Sequence, residues 1–118
     1  MNWYIAKLVF NIVSGEGNHK PQFDEQYRLV MADDYENAFA KARELGNREE
    51  EVILRANKEK LHWKFVNVAE LFQMEDLHEG MELCSNIYEA DDRDQYVRTV
   101  NLQAAYVKSK FQHQLYRA

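Results

Sequence analysis

The sequence predicts an α+β fold, one mainly antiparallel sheet of about five strands with two helices, in the order β-β-α-β-β-β-α. Three observations carry this. Residues 3–13 alternate at period two and are apolar on both faces. The period changes to helical spacing just after Asp33 and again after Asp91. Between the extended runs lie short polar connections, the kind that join antiparallel neighbours rather than parallel ones.

The opening strand places Tyr4, Ala6, Leu8, Phe10 and Ile12 on one wholly apolar face. Its other face carries Trp3, Ile5 and Val9, interrupted by Lys7 and Asn11. A strand apolar on both sides belongs inside a sheet rather than at its rim. Residues 14–22 hold two of the four glycines and the only proline, and form a polar connection. Residues 23–31 then set Phe23, Glu25, Tyr27, Leu29 and Met31 against Asp24, Gln26, Arg28 and Val30, which reads as a strand with one wet face, hairpinned onto the first.

The first helix starts at Asp33-Asp34-Tyr35-Glu36, an acid followed three residues on by Glu in the manner of a capping box. Tyr35, Ala38, Phe39, Ala42 and Leu45 follow at helical spacing, and Gly46 stands where a left-handed C-terminal residue is wanted. Residues 52–55 read as a short strand and Asn57-Lys58-Glu59-Lys60 as a turn. Residues 61–74 form a long strand whose large side chains change face from Leu61, Trp63 and Phe65 to Val66, Val68, Phe72 and Met74. That change predicts a bulge near Val66-Asn67. Residues 81–88 complete the strands. The second helix, over 91–117, has acids at its start and Lys108, Lys110, His113 and Arg117 toward its end, which suits the helix dipole at both termini. Its apolar stripe of Val97, Val100, Ala104, Val107, Phe111 and Leu115 is widened by Leu102, Ala105 and Tyr106.

A chain of 118 residues and 14.1 kDa can bury a core without staples. We expect residues 1–90 to form the sheet domain, with 91–118 a helix packed on it or on a partner subunit. The net charge of -5 offers no clustered basic surface for a nucleic acid. Lys7 breaks the only early apolar run, so neither a signal peptide nor a membrane span is expected, and the lone Cys84 gives no disulfide. These features predict a cytoplasmic location.

The segments Trp3-Tyr4-Ile5-Ala6-Lys7, Asn37-Ala38-Phe39-Ala40-Lys41-Ala42 with Gly46, Trp63-Lys64-Phe65-Val66-Asn67-Val68 and Gly80-Met81-Glu82-Leu83-Cys84-Ser85 occur in that order. Together they resemble a bacterial family known as domain of unknown function 4288, over about Trp3 to Tyr88. The resemblance implies a small α+β domain and brings no activity with it. Cys84 stands where that pattern has an aromatic, which argues against a shared catalytic cysteine.

Catalytic chemistry finds little footing. His19, His62, His78 and His113 lie on separate elements, with no Cys-x-x-Cys and no calcium loop, so no metal and no cofactor is expected. Cys84 has Glu82 and Asn86 beside it on its expected strand, a setting that does not activate a thiol, and reads as a packing residue. The enzyme alternative is a small hydrolase or isomerase using His62 with Cys84 or Glu82. The expectation set above it is a non-enzymatic binding or assembly module. Trp3, Tyr27, Trp63 and Tyr88 are its candidate binding residues, with Trp63 and Phe65 also expected to meet the first helix. Val100, Leu102, Tyr106 and Phe111 are the candidate interface through which the last helix would self-associate.

Overall fold

The computed structural model describes residues 1–54 and 60–115. It divides into two compact units, Met1–Leu83 and Cys84–Ala118. The expected turn residues Asn57 and Lys58 lie outside the described residues, as do Arg55 and Arg117.

In the first unit, β1 (Asn2–Ser14), β2 (Gln22–Ala32), β3 (Glu51–Leu54) and β4 (Lys60–Gln73) form one antiparallel sheet in the order β2-β1-β4-β3. The doubly apolar β1 is central, as its composition requires, hydrogen-bonded to β2 on one side and β4 on the other. Among the described residues the sheet has four strands, not about five. Residues 81–88 alternate like a strand but form no ladder, and Leu83, Ile87 and Tyr88 are exposed. Alternation records only a preference for extended backbone, and it does not by itself bring the segment to a sheet edge.

Helix α1 (Tyr35–Arg48) lies across the Tyr4, Ala6, Leu8 and Phe10 face of the sheet, and these four side chains with Val30, Ala32, Ala38 and Ala42 are the core. Its cap is Asp34 rather than Asp33: the Asp34 Oδ1 accepts from Asn37 N at 2.8 Å, so Glu36 sits inside the first turn. The buried line of the helix is Ala38, Ala42 and Gly46, whereas Tyr35 and Phe39 flank it and remain exposed. Gly46 therefore does not end the helix, which runs on to Arg48. A Cβ at Gly46 would stand 2.3 Å from the Phe65 ring, so the absence of a side chain there lets helix and sheet close on each other. Phe65 in turn tilts against Phe10 with ring centroids 5.5 Å apart. Tyr35 meets Tyr4 edge-on, and its hydroxyl accepts from Gln73 N at 3.2 Å.

The bulge in β4 is present at Val66, between the pairs Val9↔Asn67 and Phe10↔Phe65. A second one falls at Ala69, between Lys7↔Glu70 and Leu8↔Val68. The second shift restores the original face. Leu71, not Phe72, packs with Val68 on the core, and Phe72 stands opposite Ile5 on the other side of the sheet.

In the second unit, α2 (Arg93–Leu115) is opened by Asp92, whose Oδ1 accepts from Gln95 N at 3.1 Å. Every side chain described on α2 is exposed. No helix among the described residues is long and apolar enough to cross a membrane.

Candidate functional site

The register decides which side chains share a face, because directly paired residues of an antiparallel ladder point the same way. With Tyr4, Ala6, Leu8 and Phe10 under α1, the opposite face of the sheet presents Trp3 beside Met31 and Ile5 between Leu29 and Phe72. Lys7 follows between Tyr27 and Glu70, and Val9 between Glu25 and Asn67. No other element of the Met1–Leu83 unit packs on this face among the described residues. Trp3 is 48% exposed, Tyr27 43%, Phe23 57% and Leu29 58%.

This inverts the expected amphipathicity of β2. Its polar residues Asp24, Gln26 and Arg28 lie on the α1 side in line with the buried Val30 and Ala32, while Phe23, Tyr27 and Leu29 face outward. Near the centre of the open face, Lys7 Nζ approaches Glu25 Oε1 at 3.3 Å and lies 5.9 Å from the Tyr27 ring centroid. Partial burial works against the Lys7 charge. The Glu25 hydrogen bond and the charges of Glu25, Tyr27 and Glu70 outweigh it, so the ammonium pKa lies above its ordinary value.

On the α1 side, the helix does not reach the far end of the sheet. A cavity of about 360 Å³ opens there, lined by Phe10, Asp24, Gln26, Glu49, Glu51 and Trp63. Its polar groups are largely satisfied by one another. Asp24 Oδ2 accepts from Gln26 Nε2 at 2.7 Å and from Trp63 Nε1 at 3.3 Å. Arg28 donates to Gln26 Oε1 at 3.1 Å and makes a two-pronged pair with Glu49, one prong being 2.6 Å. The Arg28 hydrogen bond holds the Glu49 carboxyl below its usual range, against some desolvation and with help from the charges of Arg28 and Arg48. This network pins the end of α1 to the edge strand and explains why β2 turns its polar side inward. No group of three or more His, Cys, Asp or Glu side chains able to hold a metal occurs among the described residues.

The four aromatic residues picked out from the sequence do not converge. Trp3 and Tyr27 share the open face, while Trp63 lies on the opposite, α1-facing side. Tyr88 belongs to the second unit, where it stacks on Tyr96 with centroids 5.6 Å apart. Phe65 meets α1 at Gly46, and Trp63 is partly buried against the same core and lines the cavity beyond it. Cys84 is exposed and lies on no strand, so it is not the buried packing residue anticipated. Without a strand over residues 81–88, the pairing that was to set Cys84 or Glu82 beside His62 does not exist. His62 pairs with Val13 and Val52 in the sheet. On α2, Val100, Leu102, Tyr106 and Phe111 are all exposed, and the Lys110 Nζ rests 4.8 Å from the Tyr106 ring centroid. Phe23 and Leu29 were not among the residues picked out, although both are exposed on the open face of the sheet. The signal was in β1, whose two apolar faces call for cover on both sides, while only α1 is available within the unit.

A four-stranded antiparallel sheet with one helix on one face makes the Met1–Leu83 unit a small α+β domain. Residues 3–85 match the family described as Domain of unknown function (DUF4288), and the chain belongs to that family. No curated protein and no solved structure matches it.

Proposed function

We propose that this protein is a non-enzymatic assembly module that self-associates through α2. The observation that supports it most directly is the exposure of Val97, Val100, Val107 and Phe111 along one side of a 23-residue helix. Helices draw most of their stability from packing an apolar face, and a second copy of the same helix supplies such a face at no cost in new sequence. Light scattering on the full chain tests this, alongside the double variant Val100→Asp/Val107→Asp. A dimeric or larger mass for the natural chain that falls to a monomer's in the variant supports it. A monomer mass for both at micromolar concentration overturns it.

A second reading rests on the outward apolar face of β1 and β2: Trp3, Tyr27 and Leu29 form a recognition surface for another protein chain. A Leu29→Lys variant that keeps its fold and its mass while losing association with a captured cellular partner supports this second surface. Retained association argues against it.

A further inference from the structure

The side chains Val97, Val100, Ala104, Val107 and Phe111 recur at alternating intervals of three and four, the a and d positions of a two-stranded coiled coil. Counting from Val97 as a, the flanking e positions are Asp94, Asn101 and Lys108, and the g positions are Tyr96, Gln103 and Lys110. Leu102 and Tyr106 fall away from this seam. The exposure of the seam residues ranges from 42% at Val100 to 57% at Val107.

We infer that α2 pairs with α2 of a second copy in the antiparallel orientation, with Val97 level with the partner's Val107 and Val100 level with the partner's Ala104. This rests on the self-association proposed above and specifies its geometry. The two orientations differ in both packing and charge. Antiparallel, each small Ala104 meets a Val, and Phe111 meets the aliphatic stem of the partner's Arg93. Parallel, Ala104 would stack on its own copy two layers from a Phe111 pair, leaving a thin layer near a crowded one.

The charges separate the orientations further. Asp91, Asp92 and Asp94 crowd the start of the helix, and Lys108 and Lys110 stand toward its end. Antiparallel pairing sets Asp94 beside the partner's Lys108 and Tyr96 beside the partner's Lys110, twice over by symmetry. Parallel pairing brings six acids together at one end and four lysines together at the other, and aligns the two helix dipoles unfavourably.

The test mixes two full-length variants in a Cys84→Ser background, one Val97→Cys and the other Val107→Cys, under mild oxidation. Residues that share a layer come within disulfide reach, and residues three layers apart do not. The antiparallel register predicts a covalent dimer joining position 97 of one chain to position 107 of the other, with neither variant cross-linking alone. Links of 97 to 97 and 107 to 107 overturn the orientation while leaving self-association standing. A monomer mass with no links overturns the self-association itself. As a second arm, Lys108→Glu should weaken association about tenfold, and Asp94→Lys in the same chain should restore it. A Lys108→Glu chain that associates as tightly as the natural one contradicts the register.

Discussion

Replacing Gly46 by Ala sets two well-known effects against each other, and the structure decides between them. In a helix interior, Gly→Ala ordinarily stabilises by about 1 kcal/mol, because glycine carries the larger backbone entropy. Gly46 lies inside α1 rather than after it, so that gain applies. The new Cβ, however, would stand 2.3, 2.4 and 2.5 Å from three carbons of the Phe65 ring. Phe65 cannot swing aside freely, since its ring already lies against Phe10, one of the fully buried residues. Overpacking of this kind costs about 1–3 kcal/mol. We therefore expect Gly46→Ala to destabilise the domain by up to about 2 kcal/mol, or up to about 8–16 °C in melting temperature for a unit of this size. Urea unfolding followed by circular dichroism reads the change. In a Phe65→Leu background the smaller side chain leaves room, and the same substitution should become neutral or stabilising. Stabilisation of the natural chain by Gly46→Ala would refute the close approach of α1 to β4.

Three further outcomes follow from the same geometry. Glu49 titrates below its unfolded value of about 4.3, so the stability from its pair with Arg28 is present above that pH and disappears as pH falls through the folded value. Both side chains are about one-third exposed, so the contribution is at most about 1 kcal/mol, and Glu49→Gln should flatten the acid limb of a stability–pH curve by that much. Leu8→Ala, under α1, should cost about 2.5–5 kcal/mol in a denaturant titration, whereas Leu29→Ser on the open face should cost less than about 1 kcal/mol. Equal costs would mean that Leu29 is buried in solution. Cys84 should react fully with a thiol reagent in the native protein, and a requirement for denaturant would contradict its exposure.

Much of this architecture was legible from local pattern. The doubly apolar β1, the polar hairpin connection and the bulge at Val66 all leave a signature within a few residues. The misreadings share a different cause: each depended on a distant partner. Gly46 looks like a helix end until Phe65 is placed beside it. The fifth strand looked sound because Met81, Leu83 and Ile87 alternate with polar residues, and nothing local says whether a sheet edge waits for them. β2 shows the limit most clearly. Its apolar and polar faces are plain in the sequence, but Arg28 turns toward α1 because Glu49 lies there, a pairing across 21 positions. The same holds for the candidate residues. Trp3, Tyr27 and Trp63 are each visible as strand aromatics, yet only the register separates Trp63 from the other two.

Sedimentation equilibrium of the unmodified full chain over a range of concentrations tests assembly through α2 most directly. Pairing of α2 with a second copy predicts a weight-average mass that rises from that of one 14.1 kDa chain toward twice that value as concentration increases through the micromolar range. A mass that stays at that of one chain throughout would contradict it.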